Sequence, residues 1–89
     1  MAWQIEWDEE ALKELKKLGH TASKSLVSYL ENRIATDEDP RRFGKALTGD
    51  KVGLWRYRVG DYRIICRIED EIIVVLVLRV GHRRDIYDS

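Results

Sequence analysis

The segment 54–68, LWRYRVGDYRIICRI, carries four arginines among residues that otherwise favour β-strands. Its centre, Gly60-Asp61, is a Gly-first pair of the kind that closes a two-residue hairpin. Such a turn predicts that Arg58 lies opposite Arg63 on the neighbouring strand. Because side chains alternate along a strand, all four arginines are expected on one face of the hairpin. We call this the arginine face, and its members are Arg56, Arg58, Arg63 and Arg67.

Arginines on one face of a sheet repel one another unless an anionic group lies between them. Phosphate fits the planar guanidinium fork well, so the arginine face is a candidate phosphate-binding surface. The alternative is a structural face on which acidic side chains of the same chain form salt bridges. Asp61 and Asp85 are close enough in sequence to do so. The spacing alone leaves both interpretations open.

Upstream of the hairpin, the sequence predicts a strand and two helices. AWQIEW alternates, and DEEALKELKKLG then changes to a helical period, with Asp8 as the N-cap and Gly19 as the stop. Thr21 is expected to cap a second helix that ends near Ala35. The segment 36–53 contains one proline and three glycines, and it is expected to be a surface connection with at most one helical turn.

Together, the patterns predict one α+β domain over residues 1–89. An N-terminal strand and a helical hairpin precede a three-stranded antiparallel meander. This gives a four-stranded, mainly antiparallel sheet with the helices on one face and the last strand central. We favour a three-residue loop at 69–71, which puts Arg79 on the arginine face, because a two-residue loop would bury Arg79 on the helix face. The strands of the meander are predicted at about 53–59, 62–68 and 72–80.

The composition fits a small folded protein of a reducing compartment. Cys66 is the single cysteine, so no internal disulfide can form. Residues 1–15 mix acidic and apolar side chains, unlike a secretory signal. The longest apolar run, 72–78, is too short to span a bilayer. We therefore expect a cytoplasmic protein without membrane contact.

The net charge of zero is the sum of two opposed halves. Residues 1–40 contain 5 Lys/Arg and 9 Asp/Glu, a net charge of −4, whereas residues 41–89 contain 11 and 7, a net charge of +4. A basic C-terminal half indicates an anionic partner, with nucleic acid the first candidate. The alternative is a solvated surface of mixed charge.

Motifs for metal or cofactor chemistry are missing from the sequence. There is no GxxxxGK[ST] phosphate loop and no paired-cysteine spacing, and the two histidines are far apart. Alternation directs Cys66 into the core, as a packing residue rather than a nucleophile. It does the same for the three tryptophans, so base stacking by them is the less favoured alternative. No metal and no cofactor are therefore predicted.

Three segments carry a family resemblance: DPRRFGKALTG, GLWRYRVGDYRII and VGHRRDIY. With the order of strand and helical hairpin, they resemble the RelE/ParE superfamily of bacterial toxins from type II toxin–antitoxin pairs, over nearly the whole chain. The RelE branch implies a ribosome-dependent endonuclease that cuts the mRNA codon in the ribosomal A site. The ParE branch implies inhibition of DNA gyrase without a nuclease site.

The RelE branch, which we favour, implies a catalytic set of Arg63, Arg83 and Tyr87. Arg63 matches the arginine after the GY or DY turn, Arg83 follows VGH, and Tyr87 matches a C-terminal tyrosine at a shorter spacing. Arg56 stands where that branch has a lysine, and Lys51 is the candidate for a second lysine of its site. The predicted substrate-binding residues are Arg56, Arg58, Lys51 and His82.

Attack by a 2′-OH group needs charge stabilisation at the phosphate, a proton acceptor and a proton donor. Arginine stabilises the charge but does not lose its proton. The resemblance favours Tyr87 as acceptor, although a free phenol has a pKa of ~10, so arginine neighbours would have to lower the pKa of Tyr87. Histidine is a common proton acceptor in proteins, which makes His82 a second candidate, but alternation places it on the face opposite to that of Arg83. Lys51 is a third candidate.

By the same resemblance, the partners are a cognate antitoxin, the ribosome and mRNA, with DNA contacted only indirectly through the antitoxin complex. An acidic antitoxin segment is expected to neutralise Arg56, Arg63 and Arg83. The predicted function is inhibition of translation by metal-independent RNA cleavage. The alternatives are a gyrase-inhibiting toxin and, least favoured, an RNA-binding module without catalysis.

Overall fold

Five strands and two helices make up the part of the chain that the computed structural model describes, residues 1–86. Neither helix in this part combines the length and apolar character that a bilayer-spanning segment needs. The predicted α+β order of strand, helical hairpin and meander is confirmed. The elements are β1 (Gln4–Trp7), α1 (Glu9–Lys17), α2 (His20–Tyr29), β2 (Lys45–Ala46), β3 (Trp55–Val59), β4 (Tyr62–Glu69) and β5 (Val74–His82).

The strands form one mixed sheet in the order β1-β5-β4-β3-β2. β5 lies between β1 and β4, so the prediction of a central last strand is confirmed. β1 runs parallel to β5, and the other neighbours are antiparallel. The sheet has five strands rather than the four predicted from the sequence. The additional strand is β2, whose residues Lys45 and Ala46 pair with β3 although they lie in the segment predicted to be a surface connection. A two-residue strand is too short to show alternation in a sequence.

The β3–β4 hairpin has the predicted register. Arg58 lies opposite Arg63, and Arg56 lies opposite Ile65. Gly60 has a φ of +60°, a conformation that glycine adopts without the steric cost of a Cβ atom. Turns with positive φ match the twist of the two strands that they join. The turn therefore fixes which side chains share the arginine face.

The β4–β5 loop differs from the prediction. Glu69 pairs with Val74, so the loop has four residues rather than three, and it contains a 3₁₀ turn at Asp70–Ile72. The longer loop alone would move Arg79 to the helix face. A β-bulge further along the ladder inserts one residue and pairs Arg79 with Ile65. Arg79 therefore reaches the expected face because two differences compensate.

α1 begins and ends as predicted. The Asp8 side chain accepts a hydrogen bond from a backbone N–H of the first turn at 3.1 Å, and Gly19, at φ +88°, follows the helix end. The helix buries Ala11 and Leu15 against the sheet. Leu12, expected in the apolar stripe, is 40% exposed.

α2 begins earlier than predicted. Its first residue is His20 and its N-cap is Gly19, so the predicted cap by Thr21 is wrong. A glycine cap leaves the first N–H groups without a side-chain acceptor. The helical backbone continues beyond α2 as a π-helical turn, Leu30–Ile34, and so ends at the predicted place before Ala35.

The core lies between the helices and the sheet face opposite the arginine face. The Tyr57 hydroxyl is buried there and donates to the carbonyl of Pro40 at 2.7 Å. Burial raises the pKa of Tyr57, so the phenol keeps the proton that it donates. Fully burying one aliphatic side chain contributes about 1.5–3 kcal/mol. The buried core residues are Ala11, Leu15, Leu26, Leu30, Ile34, Tyr57, Ile64, Cys66, Val75, Val77 and Val80.

The connection between α2 and β3 contains two 3₁₀ turns, Pro40–Arg42 and Gly49–Lys51, where at most one turn was expected. The first is joined to the β4–β5 loop by a bidentate ion pair, in which Arg41 donates to both carboxylate oxygens of Asp70 at 2.9 and 2.6 Å. The hydrogen bonds from Arg41 hold the pKa of the Asp70 carboxyl below its usual value.

We expect this ion pair to make stability depend on acid pH. A carboxyl whose pKa is lowered by folding stabilises the fold above its unfolded pKa, near ~3.9 for Asp, and loses that contribution as the pH falls through the lower folded value. Asp70→Asn should therefore be less stable than wild type at about pH 6 and approach it toward about pH 2, in thermal melts. Glu71→Gln, at an exposed neighbouring carboxylate, is the matched control. If the melting temperatures of Asp70→Asn and wild type differed by the same amount at every pH, the expectation would be contradicted.

Candidate functional site

The arginine face is centred on one row of paired residues across β3, β4 and β5. Arg58 lies opposite Arg63, and Arg63 lies opposite Gly81. Cross-strand neighbours have Cβ atoms about 4.5–5.5 Å apart, so two guanidinium groups share the space above the sheet. The next row contains Arg56 and Ile65. The hairpin register thus concentrates three positive charges in a small area.

The three arginines differ in their exposure to solvent. Arg56 and Arg63 are each 8% exposed, whereas Arg58 is open to solvent. Neither buried arginine is without a partner in the structure. Such partners are needed because removing a charge from water is costly unless it is paired. Arg58 is therefore the most accessible of the three guanidinium groups.

A small apolar cluster covers the middle of the arginine face. Leu47, Ile65 and Ile86 are its buried members, and Leu54 packs against them. Ile86 lies over Gly81, where a Cβ atom would be 2.9 Å from the Ile86 Cδ1. This cover was not predicted from the sequence. Its one signal was a glycine inside an otherwise apolar strand, which often marks a close approach of another group.

Glutamates neutralise the outer arginines of this face. Arg67 pairs with Glu69 of the same strand at 2.7 Å, and Arg79 pairs with Glu14 of α1 at 2.8 Å. Glu14 also accepts a hydrogen bond from the backbone N–H of Val80 at 3.1 Å, and so fastens α1 to β5. For these two arginines the salt-bridged alternative is correct, although the acids are not the aspartates considered from the sequence.

Arg83 lies just beyond β5, at the same end of the sheet as Arg58 and Arg63. Its backbone N–H donates to the carbonyl of Asp61 at 2.7 Å. Its Nε is 3.9 Å from the Asp61 Oδ1, and the two side chains are 63% and 68% exposed, so this ion pair is weak. The backbone bond holds the residue at the hairpin turn, and the guanidinium group remains in solvent.

The remaining predicted site residues are not on this row. His82 lies on the helix face, as alternation indicated, with its ring 5.6 Å from that of Tyr62. Its Nδ1 accepts a hydrogen bond from the backbone N–H of Arg84 at 3.3 Å. Lys51 is half-buried in the second 3₁₀ turn and makes contacts within the chain. Tyr87 lies outside the described residues.

The described part of the arginine face supplies positive charge, and the chain's single thiol is not available as a nucleophile. Cys66 is fully buried, and burial raises the pKa of its thiol, which keeps it from forming a thiolate. Within residues 1–86, no histidine, cysteine or carboxylate side chains are grouped so that they could hold a metal ion. Fixed guanidinium groups can bind phosphate oxygens and stabilise negative charge that develops on them.

Known proteins match this chain over nearly its whole length. The family described as the ParE toxin of type II toxin–antitoxin systems, parDE, matches residues 5–87. Toxin RelG of Mycobacterium tuberculosis is 33% identical over 87 residues, which cover 98% of each chain. The mRNA interferase toxin RelE of Escherichia coli is 37% identical over 87 residues, 93% of this chain and 85% of RelE.

The same relationship holds for the fold. The toxin–antitoxin complex RelBE2 from Mycobacterium tuberculosis contains a chain that superposes with a TM-score of 0.85. It is 30% identical in sequence, and the match covers 93% of both chains. The order of helices and strands described above is therefore that of a RelE-type toxin.

Gly81→Ala is expected to displace Ile86 from the arginine face, because the new Cβ would lie 2.9 Å from the Ile86 Cδ1. We expect a loss of roughly 1–3 kcal/mol in the free energy of unfolding, measured by chemical denaturation. Modification of Arg63 by phenylglyoxal, followed by mass spectrometry, should become faster. In an Ile86→Ala background, Gly81→Ala should lower the free energy of unfolding by less. The coupling energy between the two positions in this double-mutant cycle should be about 0.5–3 kcal/mol. An equal cost in both backgrounds would contradict the contact.

Proposed function

Since the chain belongs to the ParE toxin family of type II toxin–antitoxin systems, we propose that it is a ribosome-dependent endonuclease that cuts mRNA codons in the ribosomal A site. The observation that carries this proposal is the pairing of Arg58 with Arg63, next to Arg83 at the strand end. The name mRNA interferase toxin of the Escherichia coli relative supports it. Because the proposed target is the ribosome with its mRNA, the proposed site of action is the cytoplasm.

In the proposed reaction the substrate supplies the nucleophile. The 2′-OH oxygen bonds to the adjacent phosphorus and the P–O5′ bond breaks, leaving a 2′,3′-cyclic phosphate upstream and a 5′-OH downstream. The 2′-OH proton passes to a base, for which Tyr87 is our candidate, and the leaving oxygen takes up a proton. Arg63 and Arg83 stabilise the charge on the phosphate oxygens, while Arg56 and Arg58 bind neighbouring phosphates. No step requires a metal ion.

The limited access to Arg63 fits a dependence on the ribosome. Arg63 is 8% exposed, and Ile86 lies over its cross-strand neighbour Gly81. A phosphate that contacts Arg63 must displace part of this cover. In-line attack also needs a fixed geometry at the scissile bond, which an open surface does not impose on a flexible RNA strand. The ribosome would hold the codon in that geometry.

A cognate antitoxin is the second partner that we propose. The Mycobacterium tuberculosis neighbour is a toxin–antitoxin complex, and we extend that assembly to this chain. Arg58 and Arg83 are exposed, so an acidic antitoxin segment can neutralise them without displacing the cover. Occupation of these two arginines would block the approach of RNA phosphate.

Inhibition of DNA gyrase is the second candidate function. The matching family is described as the ParE toxin, and the ParE branch implies gyrase inhibition. This candidate uses the same fold but needs no group to stabilise a phosphate in a transition state. The two candidates therefore differ in what substitution of Arg83 should do to RNA cleavage.

Arg83→Ala should lower mRNA cleavage on ribosomes by about 10²–10³-fold, the usual cost of removing one charge-stabilising donor. Its side chain is 63% exposed, so the melting temperature should change little. The measurement is primer extension on mRNA bound to programmed ribosomes. Arg67→Ala, which removes an equal charge already paired with Glu69, is the matched control and should cut normally.

Normal cleavage by Arg83→Ala, or an equal loss in Arg67→Ala, would remove Arg83 from the proposed site. Unfolding of Arg83→Ala would make the residue structural. A wild-type protein that cuts no mRNA on ribosomes but inhibits supercoiling by gyrase would establish the second candidate instead.

A further inference from the structure

Two surface depressions lie beside β3, near the part of its edge that is not paired with β2. One, of about 740 Å³, runs along α2, and we call it the α2 groove. The other, of about 250 Å³, opens on the arginine face beside Arg58. Tyr29 lines both, so the two depressions are neighbours on the surface beside β3. No carboxylate lines either of them among the described residues.

Several of the cations that line these depressions have no carboxylate partner among the described residues. Arg41, Arg67 and Arg79 elsewhere in the fold have close carboxylate partners. Five Lys and Arg side chains line the two depressions, and one of them, Arg56, makes contacts within the chain. No carboxylate of residues 1–86 forms an ion pair with the other four. These four are Lys24, Arg33, Lys45 and Arg58. In a chain of zero net charge, this grouping creates a local positive field that attracts anions.

The α2 groove adds neutral hydrogen-bond donors to these charges. Ser25, Ser28 and Asn32 line it, and the Asn32 amide donates to the Ser28 Oγ at 3.0 Å. The Ser28 hydroxyl, which accepts that bond, can still donate its own hydrogen. Hydroxyl, amide and cationic side chains together are the groups that hold the phosphates and sugars of nucleic acids.

The lining also indicates which class of polyanion fits. A docked protein segment gains most of its affinity from apolar anchors in pockets. Only Val59 and the Tyr29 ring are apolar in the α2 groove. Phosphate contacts need no such anchors, because their affinity comes from charge and counterion release. An RNA backbone therefore fits this lining better than an amphipathic protein segment.

We propose that the α2 groove is a second RNA-binding surface, which holds the backbone of a strand that continues around β3 to Arg58 on the arginine face. The choice of RNA rests on the proposed function. The surface lies outside the row of Arg58, Arg63 and Gly81, so it contributes affinity and orientation rather than chemistry.

Substitution of two cations in the α2 groove tests the proposal. The variant is Lys24→Gln with Arg33→Gln, and the matched control is Lys13→Gln with Lys17→Gln, which removes the same charge from exposed positions on α1. The probe is a fluorescent single-stranded RNA of about 12 nucleotides, followed by anisotropy in a salt series. The groove variant should bind on the order of tenfold more weakly at low salt, with a salt slope shallower by roughly 1.4, or about 0.7 per phosphate. The control should match wild type.

A second measurement identifies the class of partner. Benzoylphenylalanine in place of Ser28 should cross-link to RNA when the protein is bound to mRNA-programmed ribosomes. Cross-links to protein alone, or to the antitoxin alone, would overturn the proposal. So would equal weakening by both double variants, or no binding of the RNA by wild type. Loss of RNA affinity in the groove variant, with no cleavage even by wild type, would keep this proposal and refute the proposed nuclease.

Discussion

The register set by the Gly60-Asp61 turn is the constraint on which both the fold and the candidate site depend. It places Arg58 opposite Arg63 and, on the other face, pairs Tyr57 with Ile64, both fully buried. A slip of one residue would exchange the two faces and bury guanidinium groups among the helices. The same two-residue turn therefore specifies the core and collects the positive charge.

The arginines at the rim of the arginine face differ from those at its centre in their salt-bridge partners and in their exposure to solvent. Glutamates hold the outer Arg67 and Arg79, and the Glu14 contact with Arg79 also fixes α1 to β5. At the centre, Arg63 is 8% exposed and its cross-strand neighbour Gly81 lies under Ile86, whereas Arg58 remains exposed. The arginine face therefore combines salt-bridged, buried and exposed guanidinium groups with a small apolar cluster on one side of the sheet.

The sequence predicted those features that depend on local rules. Turn chemistry and strict alternation act within residues 54–68, so the hairpin and the arginine face could be derived without the structure. The cover could not, because it depends on Gly81 accepting a side chain that comes from outside the sheet. The pair of Arg79 and Glu14 joins residues 65 positions apart, which no local pattern reports. Arg79 reached the expected face only because a bulge offset the longer loop.

The central claim is that the arginine face holds a phosphate while the substrate's own 2′-OH attacks it. The most direct measurement uses ribosomes programmed with an mRNA that carries one 2′-deoxynucleotide immediately before the scissile phosphate in the A site. We expect the all-ribose mRNA to be cut and this single bond to stay intact, because the nucleophile is missing. Cleavage of the deoxy-substituted bond at the all-ribose rate would contradict the mechanism.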